Sequence, residues 1–180
     1  TAETNPNELA SLMVGRQVEF KTVKSEANPT DDTLVVKDLV VADYRGIDKV
    51  KGLNLTVRKG EILGIAGIDG NGQSELIEAI TGLRKAKAGS VSINGKDITN
   101  KKPRKITEAG VGHIPQDRHK HGLVLDFSIG HNIALQTYYQ KPISKSGIMN
   151  YKKVSELAQK VINDFDVRTQ GEHTPARALS

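Results

Sequence analysis

A chain of 180 residues can bury one domain core with part of a second, and a hydrophobic share of 37% against 26% charged residues is that of a water-soluble globular sequence. No cysteine is present, which excludes disulfides and thiolate metal sites and fits a cytoplasmic setting, and no apolar run approaches the roughly 20 residues that a membrane-spanning helix requires. The net charge of +5 is spread over short groups such as Lys101-Lys102-Pro103-Arg104-Lys105 and Arg118-His119-Lys120-His121 that read as solvated faces; with aromatics at 4% there is no stacking platform, and no nucleic-acid partner is expected.

The start, Thr1-Ala2-Glu3-Thr4-Asn5-Pro6, has neither the basic nor the apolar region of a signal peptide and no initiator Met, so a cut piece of something longer is expected. Leu9, Leu12 and Met13 follow Asn-Pro at helical spacing and predict a short helix over 6–14. The polar stretch from Lys24 to Asp32 has linker composition, after which two β segments are expected, about Thr33 to Ala42 and Leu53 to Arg58, with a turn at Lys59-Gly60. The apolar run Ile62-Leu63-Gly64-Ile65-Ala66 reads as a strand and Leu76, Ile77, Ala79 and Ile80 as a helix to about Leu83. Asn94-Gly95 is a hairpin signal after a short strand, Pro103 opens a helix that ends near Gly110, and Val111-Gly112-His113-Ile114 reads as a buried strand. Helices are expected over Ser128 to Leu135 and Tyr151 to Phe165, the latter with an apolar stripe of Val154, Leu157, Ala158, Val161, Ile162 and Phe165.

Between the strand at 62–66 and its helix lies Gly67-Ile68-Asp69-Gly70-Asn71-Gly72-Gln73-Ser74. It fits the phosphate-binding pattern G-x-x-x-x-G-K-[ST] except that Gln73 stands in the lysine's place. Glycines in this pattern let backbone N–H groups close around phosphate oxygens, the helix N-terminus adds positive potential, and the hydroxyl holds Mg²⁺. A neutral amide donates hydrogen bonds but cannot neutralise the charge of a γ-phosphoryl group, so nucleotide binding is expected more securely than hydrolysis. Glu75 suits the helix dipole while opposing phosphate charge. The bland alternative is a tight strand-to-helix turn without ligand. His119 and His121 lack companions at ligand spacing, and no metal site is expected of them.

The order of these features resembles the nucleotide-binding domain of ABC transporters over nearly the whole chain. The resemblance implies an α/β fold: a P-loop NTPase core of the ABC type with an antiparallel β flank and a partial helical subdomain. It places Tyr44 as the aromatic that stacks on adenine, Gly67, Gly70, Asn71, Gly72, Gln73, Ser74 and Glu75 as the nucleotide loop, and Gln116 of Ile114-Pro115-Gln116-Asp117 as the glutamine that touches Mg²⁺ and the membrane partner. The cofactors implied are ATP and Mg²⁺, the metal held by Ser74 and Gln116. From residues alone, Tyr44 is equally an ordinary loop aromatic and Gln116 a turn residue. Pro175-Ala176-Arg177-Ala178-Leu179-Ser180 is similar to the run into the Leu-Ser-Gly-Gly-Gln signature; the rest of that signature, the Walker B aspartate, the catalytic glutamate and the switch histidine have no match.

Longer words are similar to the duplicated ATPase subunit of sugar and nucleoside importers, the nucleoside branch associated with BMP-type lipoproteins in particular: Gly67 to Glu75 resembles its second domain, Glu8 to Arg16 the end of its first domain, and Pro115 to Leu123 its segment after the Q-loop. The implied organisation is a C-terminal tail of a preceding nucleotide-binding domain over 1–22, a linker over 23–32, the β flank and P-loop core over 33–118, and the helical subdomain over 119–180. Implied partners are the transmembrane permease subunits, the first nucleotide-binding domain of the same polypeptide and, indirectly, a substrate-binding lipoprotein, at the cytoplasmic face of the plasma membrane. The intact subunit would couple ATP-driven closure to uptake of a nucleoside or simple sugar, and this isolated chain would not be catalytic. The competing class is a non-catalytic nucleotide-sensing or assembly module.

Overall fold

The computed structural model describes residues 5–15, 24 and 26–179, and the chain divides into two units, Thr1–Gly112 and His113–Ser180. Most of the expected tail over 1–22 (residues 1–4 and 16–22), positions 23 and 25 of the expected linker, and Ser180 lie outside the described residues. Helix α1, Pro6–Val14, starts where Asn5 accepts a hydrogen bond from the Glu8 amide (2.9 Å) with Pro6 opening the first turn, and stops at Gly15 (φ +72°). Its Leu9, Leu12 and Met13 are exposed.

The first unit is built on a four-stranded antiparallel sheet of order β2-β1-β3-β4, from β1 (Asp32–Ala42), β2 (Asp48–Arg58), β3 (Ala88–Ile93) and β4 (Lys96–Asp97). Simple alternation fails in β1: Val36, Leu39 and Val41 are all buried. A bulge explains it. The register passes from Val36↔Leu55 to Leu39↔Leu53, so one extra residue shifts the side-chain phase midway along the strand. Asp38 sits in this bulge at φ +47°, and Asn54 stitches it from β2: the Asp38 amide donates to Asn54 Oδ1 and Asn54 Nδ2 to Asp38 Oδ1, both at 3.0 Å. The Asn94-Gly95 turn joins β3 to β4 with both residues at positive φ, as a two-residue hairpin requires.

Helix α2, Gln73–Thr81, lays Leu76, Ala79 and Ile80 into a core with Val36, Leu39, Val41, Val50, Val91, Ile93, Ile98 and Ile106. Gly82 ends it at φ +78°, where a Cβ would stand 2.6 Å from the Lys101 carbonyl, so the helix closes directly onto the entry to α3, Pro103–Glu108.

Two expected strands do not form. Residues 62–66 and 111–114 carry no strand pairing, and Ile62 (97% exposed), Ile68 (78%) and Ile114 (85%) face solvent. An extended segment becomes a strand only when a neighbour takes its N–H and C=O groups, and the described sheet offers none to either segment.

In the second unit, α4 (Arg118–His121) forms because Asp117 caps it by accepting from the Lys120 amide (2.9 Å). Helix α5 (Ile129–Ala134) is capped by Ser128 and α6 (Tyr151–Asp164) by Asn150. Val154, Ala158 and Ile162 are buried as the stripe implies, but Phe165, at the C-cap, is 76% exposed and does not belong to it. A small hairpin, β5 (Ser144–Lys145) with β6 (Ile148–Met149), turns through Ser146-Gly147. Gly130 lets α5 approach closely: its Cβ would lie 3.4 Å from the Glu172 carbonyl and 3.6 Å from Ala158 Cβ. A 3₁₀ turn, Ala176–Ala178, follows, tied back by the Ala176 amide to the Phe127 carbonyl (2.9 Å). Among the described residues no helix is long and apolar enough to cross a membrane.

Candidate nucleotide-binding site

The glycine loop turns through Asp69-Gly70 into α2. Gly70 (φ +81°) and Gly72 (φ +103°) both adopt left-handed backbone that side chains resist, and Gly72 is also crowded, since its Cβ would meet the Lys49 carbonyl oxygen at 2.8 Å. The loop is held by the Asn71 amide on the Ile68 carbonyl (3.3 Å) and opens α2 with the Leu76 amide on the Gly72 carbonyl (2.9 Å). No side chain caps α2, so the amides of Gln73, Ser74 and Glu75 in its first turn remain as donors at the positive end of the helix. Ser74 is exposed beside them and Glu75 half-buried. Bare amides, a hydroxyl and a glycine, Gly72, too tight for a Cβ form a cradle that fits phosphate oxygens and a Mg²⁺ ion.

Gln73 spends its amide on the loop itself. Its Nε2 donates to the Ile68 carbonyl (3.3 Å) and lies 1.8 Å from where a Cβ on Gly67 would stand, so the side chain doubles back across the cradle over Gly67. A phosphate entering there displaces one long, exposed hydrogen bond, a cost of about 0.5–1.5 kcal/mol.

Tyr44 stands on the turn between β1 and β2, 87% exposed, with the Arg45 guanidinium 5.6 Å from its ring centroid. The turn is fixed by Asp43, 7% exposed, which accepts from the amides of Arg45 (2.9 Å) and Ile47 (3.0 Å) and from the Arg45 guanidinium (3.0 and 3.2 Å). Burial alone would raise the Asp43 carboxyl, but the Ile47 and Arg45 hydrogen bonds and the Arg45 charge together hold it below the usual carboxylate range. A turn fixed in this way presents the Tyr44 ring to solvent with the Arg45 guanidinium over it. Close by in the same hairpin is Lys49, whose Nζ donates to the Gly70 carbonyl (3.1 Å). Nothing in the motif points to Lys49, because the bulge that aims it is not visible in the residue pattern.

Tyr44, Lys49 and 67–75 thus belong to the first unit. Gln116 belongs to the second, exposed beside Asp117, whose carboxyl the Lys120 amide, with help from the His119 amide and the nearby histidines, keeps below its ordinary value. Among the described residues no three His, Cys, Asp or Glu side chains gather as a metal cluster.

An α-helix with an uncapped, glycine-wrapped N-terminus beside an antiparallel flank fits a P-loop cassette. The family described as ABC transporter matches residues 50–180, and the chain belongs to it, as an ATP-binding domain. The guanosine import ATP-binding protein NupO of Bacillus subtilis (strain 168) is 59% identical over 178 residues, 99% of this chain and 35% of that protein. The nucleoside import ATP-binding protein NupA of Lactococcus lactis subsp. cremoris (strain MG1363) is 56% identical over 173 residues, 96% of this chain and 34% of that protein. Among solved structures, an ATP-binding cassette of an ABC transporter in its ADP conformation shares the fold with a TM-score of 0.62 and 26% identity, over 84% of this chain and 60% of that one. The chain spans about a third of the length of these curated relatives.

Proposed function

We propose that this chain is part of the ATP-binding subunit of a nucleoside importer, binding ATP and Mg²⁺ at a loop without the usual lysine. The observation that carries this is the cradle from Gly67 to Glu75, in which Gly72 can be nothing but glycine and three first-turn amides stay uncapped. Identity of 59% and 56% to proteins named for guanosine and nucleoside import favours the nucleoside branch over simple sugars. Residues 1–22 would be the tail of a first nucleotide-binding domain, 23–32 the linker, 33–118 the flank and core, and 119–180 the helical subdomain. The rest of the polypeptide would complete a sheet over the exposed run at 62–68, covering Ile62 and Ile65.

Phosphates would bind the amides of Gln73, Ser74 and Glu75, with Gly67, Gly70, Asn71 and Gly72 shaping the cradle, and adenine would stack on Tyr44. Mg²⁺, held by the Ser74 hydroxyl and the Gln116 side chain, would offset phosphate charge. Binding at this loop would favour closure against the first domain, and closure would drive transport through permease subunits at the cytoplasmic face of the plasma membrane, with a lipoprotein delivering the substrate. Hydrolysis would fall mainly to the other site.

The 180-residue chain alone is therefore expected to release no phosphate above background. Steady-state release proportional to protein and abolished by Ser74→Ala would overturn this. In the intact transporter, Gln116→Ala should reduce uptake more than nucleotide affinity, since Gln116 would add a single metal contact yet lies near the start of the second unit, on the chain that leads into the helical subdomain. Paired affinity and uptake assays check it: equal losses would make Gln116 a plain ligand, and no loss in either would place the coupling residue elsewhere.

A further inference from the structure

The register of β2 on β1 passes from Val41↔Val50 directly to Ala42↔Asp48, leaving Lys49 as the unpaired residue of a further bulge. Bulges re-aim side chains, and this one turns Lys49 toward the glycine loop. The Lys49 carbonyl packs against Gly72, and its Nζ reaches the Gly70 carbonyl at 3.1 Å. The neighbouring carboxylate is already engaged: Asp48 Oδ1 holds Lys87 at 2.5 Å, and Lys87 also donates to the Gly46 carbonyl (3.0 Å). Among the described residues Lys49 has no ion-pair partner; a neutral carbonyl is what holds its ammonium group beside the cradle. Gln73, meanwhile, brings no charge and folds onto Ile68.

Resting on the nucleotide-binding reading above, we propose that Lys49 supplies from β2 the phosphate-directed positive charge that position 73 lacks, so that the site selects nucleoside di- and triphosphates through a lysine outside its own loop. An ammonium on a stem of rotatable bonds can leave a neutral carbonyl for an anionic oxygen within reach, and the exchange replaces an ordinary hydrogen bond with a charge-assisted one. The ligand class follows: a polyphosphate gains from Lys49, whereas adenosine, which has only the Tyr44 ring and its neighbours to bind, does not.

The test uses the intact polypeptide and an azido-ATP photolabel, counting label on peptides of this domain and displacing it with ATP, ADP or adenosine. Lys49→Gln should weaken displacement by ATP and ADP about tenfold, the scale of one charge-assisted hydrogen bond, and leave adenosine unchanged. Lys49→Arg should retain most of the affinity, and adding Gln73→Lys to Lys49→Gln should restore it. If the unmodified domain takes label but Lys49→Gln displaces like it, or loses ATP and adenosine equally, Lys49 is a brace for the loop and the inference fails while the binding reading stands. No label on this domain in the unmodified protein would remove both.

Discussion

Gly72→Ala is expected to remove nucleotide binding from this domain. The position holds φ +103° and its Cβ would come within 2.8 Å of the Lys49 carbonyl oxygen, which is backbone and cannot swing away. Left-handed backbone at a non-glycine residue costs about 1–3 kcal/mol by itself. The clash then pushes β2 away from the loop, or the loop away from α2, and either shift moves the first-turn amides together with Lys49. Affinity for ATP should fall at least about tenfold, beyond what the strain alone takes from stability. Gly95→Ala is the control: it is strained in the same way, at φ +74°, but has nothing within 4 Å and lies in the β3–β4 turn. It should lower stability by about 1 kcal/mol and leave affinity alone. Denaturation and displacement assays on both variants separate the two effects; equal affinities for Gly72→Ala and the unmodified protein would mean the cradle is not the binding site.

Leu39→Ala should give the largest loss of stability. Leu39 is 0% exposed and lies on β1, which pairs with both β2 and β3, at the point where the Lys37-Asp38 bulge restores the inward phase. Removing its branched end leaves a cavity against the α2 side of the core that strands on both sides prevent from collapsing, so a loss of about 2–5 kcal/mol is expected. Leu9→Ala, at 52% exposure on α1, should change stability by less than about 0.5 kcal/mol. Denaturant midpoints of the two variants check the contrast, and similar shifts would contradict the assignment of the core.

Helices α1, α5 and α6 are legible because their starts are encoded within a few residues. Asn5 with Pro6, Ser128 and Asn150 each cap a helix through a side chain a turn away from its donor. Asn94-Gly95 announced its hairpin for the same local reason. Strands depend on neighbours far along the chain, and there the pattern misled: 62–66 is as apolar as a buried strand, yet pairing, not hydrophobicity, makes one. The bulges at Asp38 and Lys49 are likewise properties of two strands in register, so the shift of phase in β1 and the aim of Lys49 have no signature in either strand alone. At the site, the glycines and Ser74 could be read from spacing. That Gln73 would fold onto Ile68 and that Lys49 would approach from β2 could not, because both depend on the path the loop takes in space.

In the proposed site a loop lacking its lysine still holds nucleotide. Amide hydrogen exchange across residues 67–76 of the intact polypeptide, with and without ATP and Mg²⁺, tests it at the atoms concerned. Phosphate oxygens taking the uncapped amides of Gln73, Ser74 and Glu75 should slow their exchange, and Gly72→Ala should abolish the slowing. Unchanged exchange at these amides at saturating ATP and Mg²⁺ would contradict nucleotide binding at this loop.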